Sequence, residues 1–446
     1  MVVAKRKELS GTKKTRELFF STSLEVPHSA TDQLNMRRNR RVDLGFIFGA
    51  IMIDSLGAGL IIPVLPRLIS SFEGVSLSQA SSFYGFLVAV YALLSFVFAS
   101  AVGSLSDRFG RRPVLLLSLL GLGVDYIIIA LAPNLAWLVV GRVLAGIFGA
   151  TETTAMAYIA DISKPEERAK NFGVIGAAFG LGFIVGPLLG GVLGGIDLRL
   201  PFWCAAGFSL FNLLYGLFVL PESLAPKYRR PFSWARANPV GSLLALRRFP
   251  SVLTLTSIYA LTRLSLNGLI GVFVLYTSYR FGWSVTEVGT SLAVTGIALA
   301  VVQGALVGPV VKRFGERSTV LLGLTLSTLS YVLFGLANQE WLIYVAIIPS
   351  SSGGLVAPSV QGAISSRVAP EEQGLLQGAL AGLNNLANVV APLLTAGLFA
   401  YVVSSGTSFE LVGAPLFLCA LIEFSALLAA RQAFRQPTQV PASQHV

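Results

Sequence analysis

Several charged residues of this sequence lie inside long apolar runs, where ionisable groups are rare, and four of them could act together. They are Asp54, Asp125, Arg142 and Glu152. A charge at the centre of a membrane helix costs roughly 2.5–3.5 kcal/mol on insertion scales, and such residues commonly mark ion or proton pathways. Burial favours the protonated form of a carboxyl group, whereas a neighbouring arginine favours the ionised form. We therefore predict that these four residues act in proton coupling, with the acids as the groups that can carry a proton.

Asp125 and Arg142 are expected to lie at the same depth. Asp125 comes six residues before the end of the third apolar run, and Arg142 seven residues after the start of the fourth. A helix rises ~1.5 Å per residue, so each side chain lies about 10 Å from the same membrane face. The two side chains could pair, and so could Arg142 and Asp54. Movement of the arginine between two acids would couple proton affinity to conformation; a static salt bridge is the alternative.

The apolar runs themselves predict membrane spans. The chain has 446 residues, of which 54% are hydrophobic and 12% charged, against about 25% charged in soluble domains. Twelve runs between Leu44 and Ala430 are each roughly 20 residues long, enough for a helix to cross a bilayer core. Helices and closed barrels alone satisfy the backbone in lipid, and barrel strands would be shorter. The predicted fold class is an all-α membrane protein with twelve transmembrane helices.

These helices are expected to form two halves that repeat. GSLSDRFGRR at residues 103–112 aligns with GPVVKRFGER at residues 308–317, an offset of 205, and the same offset relates Pro187 to Pro392. Two six-helix halves in parallel repeat are typical of transporters that bind substrate between the halves. The predicted domains are a disordered basic cytoplasmic tail (1–42), a six-helix bundle (43–220), a cytoplasmic linker (221–250), a second six-helix bundle (251–432) and a cytoplasmic tail (433–446).

The charge distribution predicts the orientation of the chain. Twenty-two Lys and Arg residues flank the spans on one side, and three, Arg67, Arg199 and Arg280, flank them on the other. By the positive-inside rule both termini are cytoplasmic, in a plasma or inner membrane that the chain crosses many times. The net charge of +11 then reflects topology, so no nucleic-acid partner is expected. Arginines follow Met36 directly before the first span, and we hypothesise that translation starts there rather than at Met1.

The loop GSLSDRFGRRP (103–113) concentrates charge between two spans. Arg108, Arg111 and Arg112 are consistent with a simple positive-inside anchor. Gly103 allows a neighbouring helix to approach, and Asp107 can meet a helix N-terminus or an arginine. A cluster of this kind can form in one conformation and break in another. We therefore predict a gate made of these five residues, with the anchor as the alternative.

The fifth span contains the glycine-rich stretch GLGFIVGPLLGG (180–191). Gly182, Gly186 and Gly190 recur every four residues and fall on one helix face, beside Pro187 and Gly191. Small residues at this spacing let two helices approach closely, and a proline can bend a helix. We predict that the glycine face is a sliding interface between the two halves; ordinary close packing is the alternative.

The spans of the second half contain a set of uncharged polar residues. They are Asn267, Gln303, Gln361, Asn384, Asn385 and Asn388. Asn384 and Asn388 share a helix face. We predict that the set lines a substrate cavity; hydrogen bonding between helices is the alternative. Two further charged residues, Arg263 and Glu423, also lie in spans, and Glu423 is expected at the lipid edge or in packing.

Four stretches resemble the major facilitator superfamily and, within it, the tetracycline-resistance branch of the drug/proton antiporters. They are DSLGAGLIIPVLPRL (54–68), SDRFGRRPVLLLSLLGLGVDY (106–126), GRVLAGIFGAT (141–151) and FGLGFIVGPLLGG (179–191). The resemblance implies proton-driven export of a small amphiphilic compound by alternating access. It also implies that Asp54, Asp125 and Arg142 act in proton coupling, that Asp107 closes a gate, and that residues 186–187 belong to an antiporter signature.

The second half departs from that family pattern. Where the resembled pumps have an Asp, a His and a Gln, this chain has Ser327, Leu299 and Asn267. Lys312 and Glu316 break the second copy of the gate motif, so we expect a one-sided gate. The resemblance therefore implies proton-coupled efflux but leaves the cargo open, either tetracycline or another drug-like compound.

The expected partners are a small-molecule substrate, protons and the lipid bilayer. We expect a monomer that needs no cofactor, because a proton gradient supplies the energy. A symporter or uniporter that imports a metabolite is one alternative, and a non-transporting receptor or scaffold is the alternative from another class. The sequence shows no nucleophile–base pair, phosphate-binding loop or metal-ligand cluster, so an enzyme is not expected.

Overall fold

The computed structural model describes residues 30–149, 151–163, 168–232, 246, 252–365, 367–368, 373–405 and 409–434. Regular structure in these residues is helical, without strands, which confirms the predicted all-α class. The chain divides into two compact units, residues 1–45 and 46–446. In the first unit a helical backbone begins at Ala30, inside the predicted tail. Residues 1–29, most of the predicted linker and residues 435–446 lie outside the described part.

Eight helices of the described chain lie wholly or partly in the first half, which we define as residues 46–232. Ser76 and Gln79 form a capping box that starts the third of them, since each side chain satisfies a backbone N–H of the other residue. Gly110, with φ +107°, separates the third helix from the fourth. The helices are α1 (Ala30–Ile61), α2 (Leu65–Ser70), α3 (Leu77–Phe109), α4 (Arg111–Leu131), α5 (Leu135–Phe148), α6 (Thr151–Ile162), α7 (Arg168–Ile196) and α8 (Leu200–Val219).

The second half, which we define as residues 252–434, is built in the same way. Ser284 and Glu287 form a second capping box, and a π-helical turn (Val302–Leu306) joins two of the helices. The helices are α9 (Leu253–Phe281), α10 (Val285–Val301), α11 (Val307–Leu336), α12 (Glu340–Ser350), α13 (Gly353–Ser365), α14 (Gln373–Ser404) and α15 (Ala414–Ala433).

Eleven stretches of the described chain are long and apolar enough to cross a membrane. Ten of them each correspond to one predicted span; Leu135–Ile162, for example, combines α5 and α6. The stretch Val285–Leu336 has 52 residues and contains two predicted spans, with a bend at Gly315, where φ is +77°. The multi-span membrane architecture is therefore confirmed, whereas the count of twelve helices stays a prediction.

The two halves contact each other at one end of the molecule, which we call the closed end. The Ser78 hydroxyl donates to the Ala400 carbonyl oxygen at 3.0 Å, and the Thr286 hydroxyl donates to the Gly191 carbonyl oxygen at 3.0 Å. The Arg67 guanidinium of the first half also donates to the carbonyl oxygen of Trp283 in the second half. Buried apolar residues from both halves form one continuous core here.

The opposite end, which we call the open end, is the one that contains the Lys- and Arg-rich loops. Four glycines at this end have open space beside them, since a Cβ built on each would meet no atom within 4 Å. They are Gly176 and Gly180 of α7 and Gly304 and Gly308 near the start of α11. Gln303, Lys312 and Phe314 are exposed. The two halves are thus joined at the closed end and stand apart at the open end.

Candidate functional site

Asp125 of α4 and Arg142 of α5 form a buried ion pair, one of the two pairings of Arg142 that the sequence left open. An Arg142 Nη2 atom lies 2.7 Å from an Asp125 Oδ2 atom, and the exposed fractions are 0% for Asp125 and 9% for Arg142. The close approach depends on Gly141, because a Cβ at that position would lie 2.6 Å from Asp125 Oδ1. The absence of a side chain at residue 141 therefore makes room for the carboxylate beside the helix that carries its arginine.

This ion pair is only half satisfied. Within the described chain, Asp125 Oδ1 and Arg142 Nε are buried without a hydrogen-bond partner. The Arg142 guanidinium carbon lies 5.9 Å from the centre of the Tyr91 ring, within range of a cation–π interaction. A buried ion pair with unused hydrogen-bonding capacity is stabilised less than a fully hydrogen-bonded one. Rearrangement of this site therefore costs less free energy than rearrangement of a fully bonded network.

Asp54 of α1 belongs to the same neighbourhood. It interacts electrostatically with Tyr91 of α3 and Tyr126 of α4, as do Asp125 and Arg142. The Tyr126 hydroxyl oxygen lies 3.5 Å from a Cβ built at residue 57, one turn after Asp54. Three of the four predicted proton-coupling residues thus surround two tyrosines. The side chain of the fourth, Glu152, lies outside the described part.

Substitution of Gly141 by alanine is expected to lower both stability and transport. The new methyl group would lie 2.6 Å from Asp125 Oδ1 and 2.8 Å from an Ile129 side-chain carbon, and overpacking of this kind typically costs about 1–3 kcal/mol. Melting temperature and drug accumulation would measure the effect. Gly207→Ala is the matched control, since a Cβ at residue 207 meets no atom within 4 Å. Equal melting temperatures and transport rates for the two variants would contradict the role of Gly141.

Two of the predicted gate residues, Asp107 and Arg111, belong to a cluster centred on Arg111. Its Nη1 atom lies 2.7 Å from Asp107 Oδ1, and its Nε atom lies 3.1 Å from Oδ2 of Asp161, at the end of α6. The Arg111 backbone N–H donates to Glu222 Oε1 at 2.8 Å. Asp161 and Glu222 were not predicted from the sequence; the available signal was their position as acids beside Arg-rich loops.

All these partners lie in the first half. Arg112 donates to the Leu217 carbonyl oxygen at 2.6 Å, and the exposed Arg108 stacks on its neighbour Phe109. In the part of the chain that the structure describes, Asp107 and Arg111 bond residues of the first half alone. The close helix approach predicted at Gly103 is not seen, because a Cβ there would keep an ordinary 3.9 Å contact with Thr153. Closure of the gate onto the second half stays a prediction.

The prediction for the glycine face of α7 is wrong. A Cβ at Gly182, Gly186 or Gly190 would lie 2.5, 2.7 or 2.2 Å from a backbone carbonyl oxygen of α1, those of Met52, Leu56 and Leu60 respectively. These three glycines therefore pack α7 against a helix of the same half. Their spacing creates a flat surface, but the rotation of α7 decides which neighbour that surface meets.

The contact between the halves uses the adjacent face of α7. A Cβ at Gly289 of α10 would lie 2.4 Å from the Pro187 carbonyl oxygen and 2.8 Å from Gly191 Cα. A Cβ at Gly296 would lie 2.8 Å from the Ile184 side chain. Pro392, which the sequence repeat aligns with Pro187, has the equivalent position, since its carbonyl oxygen lies 3.2 Å from a Cβ built at Gly85 of α3. Pro187 and Gly191 thus belong to the interface between the halves.

The polar residues predicted to line a cavity differ in their exposure. Gln303 is exposed on the π-helical turn, whereas Gln361, Asn384, Asn385 and Asn388 are half-buried. Asn267 Nδ2 is buried without a hydrogen-bond partner in the described chain. A pocket of about 320 Å³ at the open end is lined by other residues, among them Lys312, Glu316 and Ser359. The assignment of these residues to a substrate cavity stays a prediction.

A second buried carboxyl group belongs to Glu423 of α15, for which the sequence predicts a position at the lipid edge or in packing. The lipid-edge prediction is wrong, because Glu423 is 0% exposed inside a bundle of α9, α11 and α15. Its Oε1 atom lies 2.7 Å from the hydroxyl of Ser327 on α11. The sequence signal was available, since an acid in an apolar run is unusual wherever it lies.

Comparison with known proteins identifies the family. The sequence model of the Major Facilitator Superfamily matches residues 47–268 and 255–444, which together cover nearly the whole described chain. The chain belongs to the major facilitator superfamily. Its members are transporters rather than enzymes, and the chain is accordingly a multi-pass membrane transporter.

The relatives within the superfamily include tetracycline resistance proteins. The class C protein of Escherichia coli is 42% identical over 84% of this chain and 94% of that protein. The class B protein of Escherichia coli is 35% identical over 78% of this chain and 86% of that protein. Among solved structures, a bacterial homolog of the human lysosomal transporter Spinster has the same fold, with a TM-score of 0.71 and 16% identity over 89% of this chain and 98% of that chain.

Proposed function

We propose that this major facilitator protein is a proton-coupled antiporter that exports a drug-like small molecule from the cytoplasm, with tetracycline-type antibiotics as the first cargo to test. Similarity to tetracycline resistance proteins over most of the chain supports antibiotic export over metabolite import. It also favours transport over a receptor or scaffold role. The observation that carries the proton-coupling part is the half-satisfied buried pair of Asp125 and Arg142.

Proton binding would change the partner of Arg142. When a proton adds to the Asp125 carboxylate, the guanidinium loses its negative partner, while Asp54 remains nearby across Tyr91 and Tyr126. An ionised acid at residue 54 then attracts the arginine more strongly than neutral Asp125 does. Inward flow of the proton supplies ~2.3 kcal/mol per charge per 100 mV, which can drive export of the cargo against its gradient.

The conformation described here is the one that would load cargo for export. Under the positive-inside rule, the Lys- and Arg-rich open end faces the cytoplasm together with both termini. The halves are separate at that end and joined at the closed end by the contacts of Arg67, Ser78 and Thr286. We place the protein in the plasma membrane as a monomer, and we expect no cofactor beyond the proton gradient.

Drug susceptibility in a bacterial host that lacks its own pumps tests this function. The wild-type chain should raise tolerance to at least one tetracycline-type or other amphiphilic antibiotic and lower its accumulation, and Asp54→Asn should do neither. In everted vesicles the same compound should dissipate a preformed proton gradient, more slowly for Asp107→Ala. Unchanged accumulation of every compound by the wild-type chain would reject efflux. Substrate movement without proton movement would indicate a uniporter.

A further inference from the structure

Glu423 lies at the middle of α15, fully enclosed by helices of the second half. Its Oε1 atom lies 2.7 Å from the Ser327 hydroxyl of α11, and Ser265 of α9 lies near the carboxyl group. In the described chain the Oε2 atom is buried without a hydrogen-bond partner. An ionised carboxylate normally accepts several hydrogen bonds, so this coordination is poor for a buried anion.

Among the described residues, none of the basic side chains on the helices around Glu423 forms an ion pair with it. On α9 the basic residues are Arg263 and Arg280, and on α11 they are Lys312, Arg313 and Arg317. In the described chain none of these forms an ion pair within 4.0 Å of Glu423. The third helix that packs on α15, α14, has no charged residue. The titratable groups that face Glu423 are Tyr331 of α11 and Cys419 of α15.

The hydrogens of the two serine hydroxyls near Glu423 have acceptors of their own, which leaves the serine oxygens able to accept a hydrogen bond. The Ser265 hydroxyl donates to the Cys419 carbonyl oxygen at 2.8 Å, and the Ser327 hydroxyl has the Gly323 carbonyl oxygen at 2.8 Å as an acceptor for its own hydrogen. A serine oxygen whose hydrogen is used elsewhere still has lone pairs. The Ser327 oxygen, 2.7 Å from Glu423 Oε1, can therefore accept the O–H of a neutral carboxylic acid. An isolated buried carboxyl group avoids its charge by taking up a proton.

We propose that Glu423 is a second proton-binding site, located in the second half and separate from the Asp125–Arg142 pair. In the conformation with the open end apart, the proton is bound to one carboxyl oxygen and Glu423 is neutral. When α9 and α11 move to admit water, the O–H bond breaks, the proton leaves to water, and the carboxylate remains. This role rests on the proposed proton-coupled transport, but the protonation state of Glu423 can be measured without any cargo.

Infrared difference spectroscopy of the full chain in lipid nanodiscs tests the protonation state. At neutral pH, subtraction of the Glu423→Gln spectrum from the wild-type spectrum should show a carboxylic-acid C=O band that shifts in D2O. Glu287→Gln is the matched control, because Glu287 is exposed and should contribute a carboxylate band instead. A carboxylate band for Glu423 would overturn the proposal whatever the protein transports.

Transport by Glu423→Gln tests the coupling role. Glutamine keeps the size and the hydrogen-bonding capacity of the side chain but cannot carry the proton. Gradient-driven accumulation in everted vesicles should therefore be lost, while substrate exchange without a gradient continues. Full gradient-driven accumulation would show that the neutral acid is only structural and would overturn the role. Loss of exchange together with accumulation would also count against it, unless the next variant shows the predicted shift.

Ser327→Ala keeps the proposal testable if Glu423→Gln does not fold. This substitution removes an acceptor for the Glu423 O–H, so it should lower the pH at which the carboxylic-acid band disappears. A move to higher pH would mean that Ser327 donates to an ionised carboxylate, which would contradict the proposal.

Discussion

Substitution of Asp125 by asparagine is expected to abolish gradient-driven export and to lower the melting temperature. Asparagine cannot take up a proton, and it leaves the guanidinium of Arg142 buried without its counter-charge, which is now 2.7 Å away. Removal of one partner of a buried ion pair typically costs about 3–5 kcal/mol. Drug uptake into everted vesicles and thermal unfolding of the purified protein would measure the two effects.

A double variant separates coupling from stability at this site. Asp125→Leu combined with Arg142→Leu removes both charges, and replacement of a buried ion pair by apolar residues is often neutral or stabilising. We expect this variant to regain much of the melting temperature that Asp125→Asn loses, yet to remain unable to export. If Asp125→Asn unfolds at a lower temperature but still exports against the gradient, the pair is the static salt bridge that the sequence left as an alternative.

Substitution of Gly289 by alanine is expected to shift the protein away from the conformation described here. The new methyl group would lie 2.4 Å from the Pro187 carbonyl oxygen and 2.8 Å from Gly191 Cα, so the backbones of α7 and α10 must separate at the closed end. A cost of about 1–3 kcal/mol confined to one conformation changes the ratio of conformations about 5–150-fold. Export should slow because the cytoplasm-facing conformation is populated less.

Spin labels at the open end would report this shift. Phe109 and Phe314 are 50% and 56% exposed on opposite halves, and cysteines there, with Cys204 and Cys419 replaced, can be labelled. The distance between the labels should shorten in Gly289→Ala. Gly308→Ala is the matched control, because a Cβ at residue 308 meets no atom within 4 Å. An unchanged distance distribution in Gly289→Ala would show that this contact does not set the conformational balance.

Much of the first-half site could be predicted because the signals are local. Asp125 and Arg142 each lie a countable number of residues from the same membrane face, so the rise of a helix places them at one depth. The contribution of Tyr91 could not be predicted in the same way. Aromatic residues are common in membrane spans, and nothing in the local sequence indicates which of them faces a buried cation.

The substitution of Ser327 for an acid shows how a local comparison can mislead. Compared with the resembled pumps, residue 327 has lost a carboxylate from its span. In the folded protein, Glu423 places a carboxylate 2.7 Å from the Ser327 hydroxyl, from a helix almost a hundred residues later in the chain. The space around residue 327 therefore contains a carboxyl group although residue 327 itself is a serine. A comparison of aligned positions cannot show this.

By itself the sequence determined that the chain is helical, that it crosses a membrane many times, and that a few acids and two arginines lie within the spans. Hydropathy, spacing and charge are properties of each segment, so they can be read without knowing the neighbours. The tertiary structure decided which side of α7 meets α1 and which side meets α10, which acid pairs with an arginine, and which end of the molecule is open. Those outcomes depend on the rotation and partners of each helix, because every face of a membrane helix is apolar enough to pack against either lipid or protein.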